Sequence, residues 1–239
     1  MKKVGQIQQI TRYPIKSMAG VDVEYAELGW NGISGDRRFA VHRLGDQGRF
    51  PWVSASKLPE LLLYQPCEFH DSKGEPVPSM VTTPSGEKLE VYSEELRVEL
   101  SGRLGFEIDL MRLTQGIFDD SPIALISEST ISHVCKSAGV AENRQRFRAN
   151  FVVVLDDPGA FGEDAWIGGE ILMGKEASFR ATKRDVRCKM IGLDPTSTQY
   201  DPSVLKTVVD LNANNAGIYG AVTSTGTIRV GDEVFLTES

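Results

Sequence analysis

The stretches 61-LLLYQPCEFHD-71 and 86-GEKLEVYS-93 are short strand-like segments bounded by residues that form turns. Between residues 45 and 100 the chain is interrupted by Pro51, Pro59, Pro66, Pro76, Pro78 and Pro84. Because proline cannot donate a hydrogen bond within a sheet, these prolines favour short strands separated by turns. Many short strands with closely spaced turns are typical of a β-sandwich or a β-barrel. The sequence therefore predicts a mainly β fold.

Strand patterns also begin and end the chain, whereas helical patterns are few. The further predicted strands lie within residues 4–14, 21–28 and 217–236. Ser127 suits the N-cap of a helix that Gly139 ends, and Asp201 with Pro202 suits the start of another. We therefore expect a β-barrel fold with a few attached helices.

The charge and the cysteine content exclude several classes of function. Lys plus Arg number 26 and Asp plus Glu number 33, so the net charge is −7. A chain this acidic does not attract nucleic acid through its overall field, and we expect no nucleic-acid partner. Three scattered cysteines, Cys67, Cys135 and Cys188, are too few for a disulfide framework, a zinc cage or a four-cysteine iron–sulfur cluster.

The amino-terminal residues and the apolar runs indicate no membrane segment. MKKVGQIQQI lacks the apolar centre of a signal peptide. The longest apolar run, FVVVL, is far shorter than the roughly 18 residues that a membrane helix needs. We expect a cytoplasmic protein with no membrane partner and, given the reducing compartment, free thiols.

The segment 184-RDVRCKMIGLDP-195 contains the cysteine with the strongest functional signal. Cys188 has Arg184, Arg187 and Lys189 within four residues, and nearby cations favour the thiolate that attacks or binds metal. The alternative is that Cys188 is a small apolar packing residue, as many unpaired cysteines are. Three cationic neighbours count against that interpretation.

Basic residues upstream of the FVVVL strand form a second candidate site. Arg144, Arg146 and Arg148 share parity with Asn150, so an extended chain would project all four from one face. Guanidinium groups in a row suit recognition of phosphate or of a heterocycle edge. Lys16 and Ser17, on a loop, form either a phosphate clamp or an ordinary polar turn, and Arg37 either binds a ligand or pairs with Asp36.

Six motifs occur in an order that resembles the MOSC superfamily, the molybdenum-cofactor-sulfurase C-terminal-like proteins. They are YPIKSMAG, GDRRF, DDSP, RFRAN, VRCKM followed by DP, and GTIRVGD. The likeness is greatest to the two-part bacterial members and to the mitochondrial amidoxime-reducing component. It implies an N-terminal MOSC-type β-barrel domain over residues 1–112, packed on a MOSC β-barrel domain over residues 113–239, with the ligand between them.

The resemblance also implies a cofactor and a set of site residues. Members of this type bind molybdopterin with a molybdenum centre, and the position of the metal-binding cysteine is Cys188 here. Positions that match the phosphate and pterin contacts are Lys16, Ser17, Arg37, Asp119, Asp120, Ser121, Arg148, Asn150, Arg187 and Tyr219. The implied reaction is the two-electron reduction of N-hydroxylated compounds, such as hydroxylamino bases or amidoximes, by oxygen transfer at molybdenum. Asp120 and Asp194 are candidates for the proton relay, although Asp194 could equally cap the turn at Pro195.

The same resemblance also bears on the electron donor and on alternative functions. With no iron–sulfur cluster and no pyridoxal phosphate expected in this chain, electrons would come from a separate flavin reductase or iron–sulfur protein. An alternative function is a molybdenum cofactor carrier or sulfur-delivery protein that uses Cys188 as a persulfide site. A third is a barrel that binds a phosphate-bearing ligand through Lys16, Arg146 and Arg148 without catalysis.

Overall fold

The computed structural model describes residues 1–237, which form 16 strands and three α-helices. The strands are β1 (Lys2–Arg12), β2 (Val21–Val23), β3 (Tyr25–Gly29), β4 (Gly32–Ile33), β5 (Phe39–Arg43), β6 (Gln65–Ser72), β7 (Glu75–Thr82), β8 (Lys88–Glu90), β9 (Ile108–Arg112), β10 (Ile123–Ser127), β11 (Phe151–Leu155), β12 (Glu170–Met173), β13 (Ala177–Val186), β14 (Asn215–Ser224), β15 (Gly226–Arg229) and β16 (Glu233–Thr237). The helices are α1 (Glu94–Leu104), α2 (Glu128–Ala138) and α3 (Pro202–Asn212).

Seven strands close into a barrel, which confirms the predicted mainly β fold. Their order is β11, β10, β14, β13, β12, β16 and β1, and β1 pairs again with β11 to complete the ring. Only the β10–β11 pair is parallel among these seven described strands; the others are antiparallel. Closure leaves no free sheet edge within the ring.

The apolar run FVVVL forms β11, which is buried on both faces except at Val154, an exposed residue. Phe151 and Val153 point into the barrel and are fully buried, whereas Val152 lies on the outer face in the cluster beneath α2 and α3. Alternating side chains of a strand point to opposite faces, so burial on both faces accounts for a continuous apolar run.

The two predicted helices cover this outer face of the barrel. The Ser127 hydroxyl accepts a hydrogen bond from the Thr130 backbone N–H at 3.1 Å, and Gly139 ends α2 in the left-handed region at φ 72°. Asp201 caps α3 by accepting from the Ser203 N–H at 2.8 Å. Cys135, 1% exposed, packs in this layer and is a core residue, as predicted.

The N-terminal half adds small sheets, as its predicted short strands indicated, and a helix that the sequence pattern did not reveal. The sheets are β15-β3-β4, β5-β9 and β6-β7-β8. Helix α1 lies in this half, and only Leu96 and Leu100 of its residues are buried. Two apolar positions one turn apart give too weak a helical pattern to be noticed among charged residues.

The two halves of the sequence exchange strands in space. β1 precedes the boundary predicted near residue 112 and yet completes the C-terminal barrel, and β15 pairs with β3 of the N-terminal half. The boundary itself stays a prediction. Within residues 1–237, none of the helices has the length and apolar content needed to cross a bilayer.

Closure of the barrel depends on a close approach of two backbones at Gly5. Gly5 is paired with Leu155, and a Cβ at this position would lie 2.3 Å from the Val154 carbonyl oxygen. No flexible side chain can move aside there, because the obstacle is backbone. On the other side of β1, its pairing with β16 has a bulge between Lys3 and Gly5, so the strand is irregular at the same position.

We predict that Gly5→Ala destabilises the protein by about 3 kcal/mol because the added methyl group forces β1 away from β11. Gly102→Ala in α1 is the matched control, since a Cβ there meets nothing within 4 Å. That control is expected to stabilise by about 0.5–1 kcal/mol through helix propensity. Urea unfolding measures both, and equal effects of the two substitutions would contradict a steric requirement at Gly5.

Candidate functional site

A cleft of about 160 Å³ lies where loops of the N-terminal half meet strands β13 and β14 of the barrel. Six segments of the chain contribute to it, from the loop after β1 to the middle of β14. The lining residues are Lys16, Ser17, Arg37, Phe118, Asp119, Arg146, Phe147, Arg148, Asp185, Val186, Arg187, Cys188, Met190, Ile191 and Tyr219. Eight predicted site residues therefore line one cleft: Lys16, Ser17, Arg37, Asp119, Arg148, Arg187, Cys188 and Tyr219.

Three of these residues have a left-handed backbone without being glycine. The φ angles are 67° at Ser17, 48° at Arg37 and 54° at Arg148. Residues other than glycine rarely adopt this backbone region, and the strain that it causes concentrates at functional sites. The surrounding contacts hold these conformations, as when the Arg37 N–H donates to the Tyr13 carbonyl at 2.8 Å.

Arg37 connects the walls of the cleft. Its guanidinium lies 2.5 Å from the Asp36 carboxylate and 2.5 Å from that of Asp119. It also donates to the Asn150 side-chain oxygen at 2.9 Å and to the Arg148 carbonyl at 2.8 Å. Burial alone would lower the pKa of Arg37, but the two carboxylates outweigh it and raise the pKa above its ordinary value. The charge of Arg37 is therefore balanced within the protein.

Arg148 differs from Arg37 in that no carboxylate among residues 1–237 pairs with its guanidinium. Its guanidinium lies 4.4 Å from the centre of the Tyr13 ring and donates to the Met18 carbonyl at 2.9 Å. Burial lowers the pKa of Arg148. A half-buried guanidinium supported by a ring and a carbonyl, with no carboxylate partner, favours an anionic ligand, which would restore the balance of charge.

Lys16 and Ser17 stand beside Arg148 on the loop after β1. Lys16 Nζ donates to the Phe118 carbonyl at 2.8 Å, and burial lowers the pKa of this lysine while the Asp119 carboxylate opposes the shift. The Ser17 hydroxyl is sealed from solvent and has no hydrogen-bond partner in the described part of the chain. A buried hydroxyl without a partner is costly, so Ser17 marks a position for a ligand atom.

Cys188 lies where the cleft opens to solvent. It is exposed and follows β13, immediately before a short 3₁₀-helix over residues 189–192. Of its three cationic sequence neighbours, only Arg187 lines the cleft. Arg184 lies 3.7 Å from Asp164, and Lys189 packs over Tyr200. The expectation that all three cations surround the thiol was therefore wrong, because β13 and the helix point Arg184 and Lys189 elsewhere.

Asp185 is a cleft residue that was not predicted from the sequence. Its side chain is buried and pairs with Arg187, and burial raises the pKa of Asp185 to about 6 against the opposing effect of Arg187. Burial, and then the charge of Asp185, raise the pKa of Tyr219 above its ordinary value. The one sequence signal for Asp185 as a site residue is its position two residues before Arg187.

Four predicted site residues do not line the cleft. Asp120 is exposed and pairs with Lys183 at 2.5 Å, and the Ser121 hydroxyl donates to the Gly220 carbonyl at 2.9 Å. Asn150 is fully buried behind Arg37, where its side chain also accepts from the Ala124 N–H at 3.1 Å. The fourth residue is Asp194.

Asp194 organises the turn after the cysteine segment. Its carboxylate accepts from the Thr196 N–H, the Thr196 hydroxyl and the Ser197 N–H at 2.6–2.9 Å, and it pairs with Arg146 at 3.0 Å. Burial alone would raise the pKa of Asp194, but hydrogen bonds from Thr196 and Ser197 lower it to about 2. This geometry favours the turn-capping role over proton relay.

The three arginines upstream of FVVVL, here called the arginine stripe, are arranged differently from the prediction. Arg144–Arg146 form a 3₁₀-helix and not an extended strand, so parity does not place the arginines on one face. Arg144 pairs with Glu128 outside the cleft, whereas Arg146 lines it and is held by the Ile191 and Leu193 carbonyls at 3.1 and 3.0 Å. Two of the three arginines, Arg146 and Arg148, therefore reach the cleft.

We predict that Asp194→Asn lowers the free energy of unfolding by about 2 kcal/mol at pH 7, because it loses charge-assisted hydrogen bonds. The wild-type contribution is present above the ordinary pKa of 3.8 and is lost as the pH falls through about 2. The difference between the two proteins should therefore narrow on acidification. Urea unfolding at pH 7 and pH 3 tests this, with the exposed Asp210→Asn as control. A difference that stays constant over this range would contradict the prediction.

Comparison with known proteins identifies two family matches. A family model described as the MOSC domain matches residues 91–235, and one described as the MOSC N-terminal beta barrel domain matches residues 4–115. The cleft residues are divided between the two matches.

Two curated proteins and one solved structure are similar to the chain. The molybdenum cofactor sulfurase of Caenorhabditis elegans is 25% identical over 230 residues, which cover 87% of this chain but 32% of that protein, so the chain spans about a third of its length. Mitochondrial amidoxime-reducing component 1 of Mus musculus is 24% identical over 292 residues, covering 99% of this chain and 83% of that protein. The YuaD protein from Bacillus subtilis has a TM-score of 0.54 at 14% identity over 98% of this chain and 95% of that one, a likeness of fold alone.

Proposed function

The chain belongs to the MOSC domain family, and from that membership we propose that it binds a molybdenum cofactor and reduces N-hydroxylated compounds as an oxidoreductase. One observation carries the proposal: the Cys188 thiol is exposed at the opening of a cleft whose inner wall holds cations without carboxylate partners. A soft metal ligand and a site for an anion thus occur in one cavity.

The inner wall fits the phosphate end of such a cofactor. Arg148 has no carboxylate to balance its charge, Lys16 lies beside it, and the Ser17 hydroxyl has no partner within residues 1–237. A phosphate group would accept hydrogen bonds from all three. Arg37 would act differently, because Asp36 and Asp119 already neutralise it and it holds the two walls in place.

The outer end fits a metal that brings most of its own ligands. Residues 1–237 contain no group of three or more His, Cys, Asp or Glu side chains that could hold a metal ion. A single thiolate such as Cys188 is a soft ligand that suits a metal already bound by sulfur. The cofactor, when bound, would supply a redox-active metal able to accept oxygen from the substrate.

The chain itself would position the substrate and supply protons. Reduction of R–NHOH to R–NH₂ and water consumes two electrons and two protons. Asp185 is buried and Tyr219 is half-buried, and both lie beside Arg187 in the cleft. The raised pKa of Asp185, about 6, would let its carboxyl group exchange a proton close to neutral pH. We assign proton delivery to this pair in place of Asp120 and Asp194, which lie outside the cleft.

Electrons would come from a separate protein, either a flavin reductase or an iron–sulfur protein. Cys67 and Cys135 do not line the cleft, and Cys135 is buried in the core. These thiols therefore provide no redox partner for Cys188 within the described residues.

We predict that wild-type protein from a host that makes the cofactor retains molybdenum and reduces a test amidoxime with an artificial electron donor. Cys188→Ala should lose at least about 99% of this activity, since the metal ligand is removed. Cys67→Ala is the matched control because that cysteine lies outside the cleft, and it should keep wild-type activity. Elemental analysis and a reduction assay measure the outcome. Full activity of Cys188→Ala would contradict the proposal.

The alternative function, sulfur delivery, predicts a different chemical result for the same protein preparations. It requires a persulfide on Cys188, which releases thiocyanate on treatment with cyanide. Stoichiometric thiocyanate from wild type but not from Cys188→Ala, without bound molybdenum, would favour this alternative over a reductase.

We further predict that Arg148→Gln reduces cofactor retention at least about tenfold, because the phosphate loses a charge-assisted hydrogen bond. Thermal stability of the cofactor-free protein should not fall, because the variant also removes a half-buried charge that has no carboxylate partner. Arg180→Gln on the exposed face of β13 is the control. Unchanged molybdenum content after gel filtration of Arg148→Gln would exclude a phosphate contact at this residue.

A further inference from the structure

Arg12 is a buried arginine that the proposed function does not use. The residue is only 9% exposed, and its Nε atom is sealed from solvent without a hydrogen-bond partner. Residues 1–237 offer its guanidinium neither an ion pair nor a side-chain hydrogen bond. Burial lowers the pKa of Arg12, as expected for a charge that has left water without full compensation.

The other three arginines that are more than nine-tenths buried have partners. Arg37 pairs with Asp36 and Asp119, and Arg146 pairs with Asp194. Arg38 donates to the Gly116 and Thr114 carbonyls at 2.6 and 2.7 Å. A buried cation costs several kcal/mol unless it is paired. Arg12 is therefore the exception among the four buried arginines of residues 1–237. Arg148 also lacks a carboxylate partner, but it is half-buried and donates to the Met18 carbonyl.

Arg12 lines a second cavity, which shares no residue with the cleft. It has a volume of about 570 Å³ and lies between strands β2 and β3 and the β6–β7 hairpin. Cavities that bind small molecules have volumes of about 300–1,000 Å³. The hairpin is held against the opposite wall where the Ser34 hydroxyl donates to the Gly74 carbonyl at 3.2 Å.

The lining indicates the chemistry of a ligand. Tyr25 and Phe69 supply aromatic surface and are 54% and 36% exposed. Glu24, Glu27 and Asp71 supply three carboxylates that line the same cavity. These acids disfavour a multiply charged anion such as phosphate, whereas a guanidinium fork matches the two oxygens of one carboxylate.

We propose that this cavity binds a small aromatic carboxylate. The carboxylate would form paired hydrogen bonds with Arg12, and the ring would pack on Tyr25 and Phe69. An ammonium group on the ligand would strengthen binding through Glu24, Glu27 and Asp71. The site is separate from Cys188 and does not depend on the proposed oxidoreductase activity.

Isothermal titration calorimetry on the full chain tests this with three probes: para-aminomethylbenzoate, benzoate and inorganic phosphate. The aminomethyl compound is expected to bind most tightly and benzoate more weakly, with no binding of phosphate at this site. Absence of binding by both aromatic carboxylates at millimolar concentration would overturn the proposal. So would phosphate binding that is at least as tight as theirs and depends on Arg12.

Variants separate a ligand site from a structural role. Arg12→Met should weaken binding of para-aminomethylbenzoate at least about tenfold. It should also raise the melting temperature of the ligand-free protein, because a buried unpaired charge is removed. Arg12→Lys keeps the charge but loses the paired donors of the guanidinium, so it should also weaken binding. It replaces Arg12→Met in the test if that variant does not fold. Arg180→Met is the exposed control. Unchanged affinity in both Arg12 variants would overturn the proposal, as would a lower melting temperature of Arg12→Met.

Discussion

The ion-pair network of Arg37 is the interaction on which the arrangement of the site depends. One guanidinium joins Asp36 on its own turn, Asp119 before β10, and Asn150 and the Arg148 carbonyl before β11. These groups come from both halves of the sequence, so the cleft walls cannot separate without exposing a buried charge. Asn150 also accepts from the Ala124 N–H and thereby fixes this network to the barrel. The left-handed backbone at Arg37 and Arg148 is held in the same place.

The cations of the molecule differ in whether the protein itself neutralises them. Arg37 and Arg146 have carboxylate partners and act as framework. Arg148 and Arg12 have none among residues 1–237, and burial lowers the pKa of each. Arg12 is buried and Arg148 is half-buried, and a charge that has lost water without gaining a partner reduces stability. Each of the two therefore marks a position where a bound anion would increase stability. In the cleft, that position lies in the same cavity as the exposed thiol of Cys188.

Local patterns in the sequence predicted much of the fold, and the order of motifs predicted most of the cleft. The caps at Ser127 and Asp201 depend on neighbouring residues alone, so the helices α2 and α3 were visible in advance. Helix α1 was not, because it buries little apolar surface. The arginine stripe was only partly right, since a 3₁₀-helix replaced the strand on which the parity argument relied. The burial of Asp185 depends on packing between distant segments, which no local pattern reveals.

The central claim is that the cleft places a molybdenum cofactor with its metal on Cys188 Sγ. X-ray absorption at the molybdenum edge tests it most directly, on wild-type protein and on Cys188→Ser loaded with cofactor. The predicted result is one fewer sulfur atom in the first coordination shell of the variant, since an oxygen or nitrogen ligand would replace the thiolate. The same number of sulfur atoms in both proteins would contradict the claim and leave Cys188 without a role at the metal.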